Sequence, residues 1–341
     1  MPIDGDRFRR RALELAARDG RGLGSRLAAE FGISRAAASA RLRAMVREGL
    51  LVAEGTTRSR TYRLTTIDRA DACYRTEGLD EEVVWRLQCR PVLRDLPENV
   101  RDIWHYGITE MVNNAIEHSG SGAIEVQLHR TALDATCAVI DHGIGIFRKI
   151  QEALGLIDPR EAMLELAKGK LTTDPEHHTG EGIFFSSKAL DHFEIRSGSL
   201  VFAHDDGVPD VLAEREPVEV RGTVVVMRLR NDSTRRLREV FDRFAQPEDY
   251  TFSRTIVPVR LAALEGEKLL SRSQARRITH RFERFEHVVL DFRGIEEIGQ
   301  AFADEIFRVF RREHPAVSLQ PVNMAPKVEA MVRRALAAAR T

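Results

Sequence analysis

In ITEMVNNAIEHSGSG, residues 108–122, Ile108, Met111, Val112 and Ala115 recur at helical spacing, which predicts a helix with one buried face. Glu110, Asn114 and His118 stand four residues apart on a neighbouring face, with Asn113 and Glu117 beside them. A carboxylate and an amide oxygen stacked one turn apart against an apolar wall suit ligand chemistry. A solvated polar face is the plain alternative, and the surrounding sequence decides between the two.

Downstream, GAIEVQLH (122–129) and ATCAVID (135–141) read as strands, the second running into DHGIGIF (141–147). Gly143 and Gly145 follow Asp141 and permit a tight turn with close backbone approach to a ligand. About forty residues on, TGEGIFF (179–185) sets Gly180 and Gly182 before the helical run IFFSSKAL. Glycine N–H groups at a helix N-terminus form an anion cradle. HFEIRSGS (192–199) and GTVVVMRLR (222–230) are further strands, the last opened by Gly222 and Thr223.

These four motifs, in this order and spacing over about 150 residues, resemble the GHKL superfamily of ATP-binding domains. That superfamily includes gyrase-type ATPases, histidine kinases and anti-sigma-factor serine kinases, and NNAIEHS (113–119) is most similar to the last branch. The resemblance implies an α/β sandwich over 80–230 that binds ATP with Mg²⁺. It implies Asn114 as the Mg²⁺ ligand and Glu110 as the residue that orients or deprotonates the attacking group. Asp141 would accept from the adenine amino group, Gly143 and Gly145 would shape the base pocket, and Thr223 would support Asp141. Gly180 and Gly182 would cradle phosphates, and 148–179 would be a polar, mobile lid in which Lys168 and Lys170 are weaker phosphate candidates. The adjacent His177 and His178 lack a third ligand at useful spacing and are not read as a metal site.

At the N-terminus, DRFRRRALELAARD, LGSRLAAEFGIS and RAAASARLRAMVREG predict three helices, and LLVAEGTTRSRTYRL two short strands around a turn. Ser34 is placed to cap the third helix, whose inner face is Ala38, Leu42, Met45 and Val46. The order resembles a winged helix-turn-helix domain over residues 1–65. Fourteen arginines, no lysine and seven acids give that segment a charge of +7, so the neutral chain carries −7 elsewhere. A basic head of this kind suits double-stranded DNA. Ser34, Arg35, Ser39, Arg41 and Arg43 would supply donors to a major groove and Arg58 and Arg60 would reach phosphates or the minor groove; a dimerisation or protein-contact role for the same fold is the alternative.

Residues 66–79 show no clear pattern and read as a linker, and 231–249 as an amphipathic connecting helix. From 250 to 341, strand-like TFSRTIVPVRLAAL, HVVLDFRGI and AVSLQPVNM alternate with three helical runs, predicting a small helix-covered sheet. HVVLDFRGIEEIGQAFADEIFRVF (287–310) resembles a STAS-like domain of unknown function. STAS-type antagonists carry a phosphoacceptor serine just after the strand, where this chain has Gly299, Gln300 and Ala301. Ser271 and Ser273 precede a helix and read as caps, which leaves this block a docking or sensing role with a protein partner.

The fold class is therefore multidomain α+β. No long apolar run predicts a membrane span, and the arginine-rich N-terminus lacks the apolar core of a secretory leader. Cys73, Cys89 and Cys137 are too scattered for a disulfide framework or a zinc site, which suits a cytoplasmic protein, expected here as a homodimer. The leading expectation is an ATP-binding transcription regulator whose nucleotide switch controls DNA binding. A slow Mg²⁺-dependent ATPase or serine/threonine kinase acting on a separate partner is the alternative, kept open by Glu110.

Overall fold

The computed structural model describes residues 5–56, 59–170, 180–206, 208, 210–214, 220–244, 252–263 and 268–338. At the N-terminus, helices α1 (Gly5–Asp19), α2 (Leu23–Phe31) and α3 (Arg35–Arg47) precede an antiparallel pair, β1 (Leu51–Glu54) and β2 (Thr61–Leu64). The Ser34 hydroxyl accepts from the Ala37 N–H at 3.1 Å and so starts α3. Phe8, Leu13, Leu27, Leu42, Met45 and Tyr62 enclose a core of this unit's own, on which Ala132 and Leu133 also pack. Val46, expected on the inner face, is only partly buried.

The next unit is a seven-stranded sheet of order β3-β4-β5-β9-β6-β7-β8, antiparallel throughout. Its first strand, β3 (Asp68–Arg75), lies in the segment expected to be a linker. The inward positions of β3 are only half-buried and are filled by Asp68, Ala70, Ala72 and Tyr74, so the alternation that betrays a strand is faint. Strands β4 (Ala123–Arg130) and β5 (Asp134–Asp141) follow the predicted runs. A helical stretch made of α4 (Glu81–Val84), a wide turn at Trp85–Cys89 and α5 (Arg90–Leu93) leads into α6 (Glu98–His118). Val100, Ile103, Trp104, Ile108, Met111, Val112 and Ala115 form one buried stripe of α6, which packs on β4, β5 and β9.

After β5 come α7 (Ile146–Leu154), α8 (Pro159–Lys168) and α9 (Gly182–Ala189), then β6 (His192–Gly198), β7 (Leu200–Asp205), β8 (Val211–Glu214) and β9 (Val220–Arg230). Two of these, β7 and β8, were not separately expected. The polar lid is corrected in its centre: every residue of α8 from Ala162 to Lys168 is buried. His177 and His178 lie outside the described residues. The connecting helix is also shorter than expected, since α10 covers Leu237–Asp242 and the Asn99 amide pins the carbonyls of Ser233 and Arg235 ahead of it.

In the last block, β10 (Arg254–Pro258), α11 (Arg272–Thr279), β11 (His287–Asp291), the run from α12 (Gln300–Asp304) through a wide turn to α13 (Arg311–Glu313), β12 (Ser318–Val322) and α14 (Pro326–Ala338) alternate. The three strands are parallel in the order β10-β11-β12. This block shares one continuous hydrophobic core with the seven-stranded unit. Phe184, Phe185, Phe244 and Phe252 form the seam, with ring centroids 4.7 to 6.4 Å apart.

Ser271 caps α11 in a reciprocal box with Gln274, as expected of a structural serine. Gly299, where an acceptor serine would stand in the STAS-type pattern, precedes α12 and donates to the Leu269 carbonyl at 2.8 Å. A Cβ there would lie 2.8 Å from Leu270 backbone atoms. Gly299→Ser should therefore lower stability by roughly 1–3 kcal/mol, the usual cost of overpacking. Urea unfolding of the variant and parent checks this; equal midpoints would show that the chain at 269–270 yields freely.

Candidate functional site

Alternation along β5 buries Ala135, Cys137 and Val139, so the next residue of that parity, Asp141, points into the core beneath α6. β9 pairs with β5 in a register that sets Thr223 directly opposite Asp141, also on its buried face. The Asp141 carboxylate accepts from the N–H of Gly143 at 2.9 Å and that of Thr223 at 3.3 Å. Burial pushes the Asp141 carboxyl up from its ordinary range, and the donors of Gly143 and Thr223 oppose that shift. The Thr223 hydroxyl accepts from the Ile146 N–H at 3.1 Å, which fastens the start of α7 to β9.

Gly145 takes φ 86° and lies where a Cβ would stand 2.4 Å from the Ser197 hydroxyl, so only glycine makes this turn without displacement. A cavity of about 300 Å³ opens here, between β5, β9, α6, α7, α8 and α9. Glu110, Asn114, Asp141, Gly145, Gly180, Gly182 and Thr223 all line it. Gly143 stands beside it through the Asp141 hydrogen bond. Of the residues expected in this site, Lys168 and Lys170 are the ones placed away from the cavity.

The Glu110 carboxylate lies at the start of α9: a Cβ on Gly182 would fall 1.8 Å from its Oε2. Asn114 follows one turn later, half-buried on the same cavity wall. Among the described residues no three His, Cys, Asp or Glu side chains converge as a metal cage. An amide oxygen beside a cavity fits Mg²⁺, which takes one or two protein oxygens and completes its shell with phosphate and water.

Lys149 on α7 was not singled out from sequence. It lines the cavity, donates to the His118 carbonyl at 2.9 Å, and has its pKa lowered by burial. Its only sequence signal is its place in the first turn of the helix that follows the glycine turn. Lys168 and Lys170 do not line the cavity. Lys168 is fully buried against Glu165 and the carbonyls of Arg277 and His280, and Lys170 donates to the Arg284 carbonyl.

At the other end, Arg35 and Arg43 are exposed on α3 and Arg60 is half-buried before β2. Ala36, Ala40, Arg43 and Arg47 form one exposed stripe, so Arg47 joins a surface expected to extend only to Arg43. Ser39 is half-buried, its hydroxyl 3.6 Å from where a Cβ on Gly24 of α2 would stand. The Arg41 guanidinium lies over the Phe8 ring, 5.2 Å from its centroid. Arg58 lies outside the described residues.

Residues 59–201 match the family model of the histidine kinase-like ATPase domain, and residues 274–329 that of the STAS-like domain of unknown function (DUF4325). No curated protein matches the chain. A GHKL-type ATPase domain is thus followed by a STAS-like one, and domains of the former kind bind ATP, typically with Mg²⁺. The ATPase match begins before β3, in agreement with that strand's place in the sheet. No helix among the described residues is long and apolar enough to cross a membrane.

Asp141→Asn keeps an oxygen for the N–H groups of Gly143 and Thr223 while removing a buried charge. A carboxyl whose folded pKa is raised favours folding most when protonated, and that advantage is lost as pH rises through the folded pKa. The stability of the parent relative to Asp141→Asn should therefore fall as pH rises through that range. Paired urea titrations between acid and neutral pH measure this; a gap that moves the other way would mean the carboxylate is stabilised, not strained, by its site.

Proposed function

We propose that the chain is an ATP-binding regulator in which nucleotide in the ATPase domain controls DNA binding by an N-terminal winged helix. The observation that carries the nucleotide half is the convergence of Asp141, Thr223, Asn114, Glu110 and the Gly180–Gly182 turn on one cavity. In this reading the Asp141 carboxylate accepts from the adenine amino group, and Thr223 holds the carboxylate and the start of α7 in place. The first N–H groups of α9 and the ammonium of Lys149 face the phosphates. Asn114 would hold the Mg²⁺, which supplies charge neutralisation between phosphate oxygens when bound.

The DNA half rests on the +7 charge of residues 1–65 and the exposed arginines of α3. Arg35, Arg43 and Arg47 would enter a groove from α3. Arg58 and Arg60, on the connection between β1 and β2, would contact phosphates. Ser39, turned toward α2, contributes less to base reading than the bare sequence suggests. Contacts that tie this unit to the sheet come from elsewhere: Glu14 of α1 pairs with Arg230 at 3.0 Å, and Arg10 with Asp232 at 3.5 Å.

A second reading, a kinase or ATPase acting on a separate partner, is favoured by the seating of Glu110 against the start of α9, where it can orient a water or hydroxyl for attack. Transfer to the chain's own STAS-like block is disfavoured by the packed Gly299. Asp141→Asn should lose ATP binding, because its amide sets a donor against the adenine amino group. Glu110→Ala should keep ATP and lose turnover. Calorimetry and phosphate release separate the two; an Asn variant that binds like the parent would remove Asp141 from base recognition.

DNA binding should weaken with salt with a log–log slope of about −0.9 per phosphate contacted, and replacing Arg58 and Arg60 together should flatten it. ATP–Mg²⁺ should shift DNA affinity by roughly 5- to 150-fold, with DNA shifting ATP affinity by the same factor. Fluorescence anisotropy at matched salt, with and without ATP–Mg²⁺, tests both. Affinities independent of the other ligand would leave two sites without a switch, and no duplex binding at low salt would leave the N-terminal unit as a protein contact.

A further inference from the structure

The end of α8 and the end of α11 cap each other. Lys168, the last residue of α8, places its ammonium 3.0 Å from the Arg277 carbonyl and 2.9 Å from the His280 carbonyl, at the C-terminus of α11. Its third donor goes to Glu165 at 2.6 Å, so all three ammonium hydrogens are used. In return Arg281, two residues beyond α11, donates to the carbonyls of Gly169 and Lys170 just past α8. Glu165 lies between the two cations, accepting from Arg281 at 3.0 Å and contacting the His280 ring at 3.0 Å. Cations at helix C-termini complement the dipole there, and here each helix supplies the other's.

Three features set this cluster apart from an ordinary surface salt bridge. Glu165, Lys168 and Arg281 are all buried, at 2%, 0% and 4% exposure. Lys170 (φ 48°) and Arg281 (φ 64°) take the left-handed backbone that side chains disfavour. The Thr255 hydroxyl of β10 also donates to the Lys168 carbonyl at 2.7 Å, which adds a strand to the junction. Buried ionic clusters are poor stabilisers compared with apolar packing, so their gain is directional: they allow one arrangement.

That arrangement reaches the cavity. Leu166 of α8 and Phe184 of α9 both line it, and Phe184 packs on Phe252 of the last block with ring centroids 4.7 Å apart. We infer that Lys168, Glu165 and Arg281 join α8 to the STAS-like block as one body, so that this block senses the nucleotide and in turn sets its affinity. The inference rests on the nucleotide reading of the cavity and names the regulation of that site. The role belongs to positioning residues: none of the three touches the cavity.

Hydrogen exchange on the full chain tests it, with and without a non-hydrolysable ATP analogue plus Mg²⁺, alongside calorimetry of the same samples. In the parent, saturating analogue should slow exchange at 272–284 by about 5-fold or more, the lower end of typical coupling. In the triple variant Glu165→Leu, Lys168→Met, Arg281→Met, which removes the charges together and leaves none unpaired, the analogue should still bind. Slowing should then be confined to α6, α7 and α9. Bound analogue with unchanged exchange at 272–284 in the parent overturns the inference, as does undiminished slowing in the variant. If the triple variant fails to fold, the parent comparison still decides, and Arg281→Lys, which cannot span Glu165 and two carbonyls at once, replaces it. No binding to the parent by calorimetry would instead defeat the nucleotide reading on which the inference stands.

Discussion

A strand presents alternate residues to opposite faces, and in this chain that two-residue period forces a carboxylate into the core. Val139 and Cys137 bury the inner face of β5, and Asp141 shares their parity. The fold accommodates it by register. Thr223 is brought directly across on β9, and the Gly143 turn offers a second N–H. The turn at Gly143 and, through the Thr223 hydroxyl, the start of α7 are fastened to the same pair. A buried carboxylate is costly unless donors meet it, and here the turn and the facing strand supply them.

Much of this was legible in the sequence because it was written at short range. The stripe of α6, the glycine turns and the β-α alternation of the last block each depend on neighbours within one element. What was hidden depends on long-range partners. In β3 the inner face is built from Asp68, Ala70, Ala72 and Tyr74, and its strand character comes from pairing with β4. Glu165 and Lys168 look like a solvated i,i+3 pair until Arg281 and the end of α11 arrive from over a hundred residues away. Lys149 and Arg47 sit at positions that only the cavity and the exposed stripe distinguish.

The two flanking blocks are attached to the ATPase domain by different physics. The STAS-like block continues the core through an aromatic seam and the interlocked helix ends. The N-terminal unit has its own core and meets the sheet through Ala132, Leu133 and the ion pairs Glu14–Arg230 and Arg10–Asp232. Hydrogen bonds from Arg230 help hold the Glu14 carboxyl below its ordinary range, against burial, which would raise it. Ion pairs of this partly exposed kind contribute on the order of 0–1 kcal/mol each and are screened by salt. One neighbour is therefore joined by buried packing, and the other largely by contacts that salt can weaken.

The continuous core also governs how the molecule comes apart. A hydrophobic cluster runs without a break from Val84 to Ala335, across the aromatic seam, so the ATPase and STAS-like portions share their packing. The cluster around Phe8 and Leu42 is separate. Loss of packing in the smaller cluster therefore need not spread through the larger one, which it meets at Ala132, Leu133 and a few ion pairs.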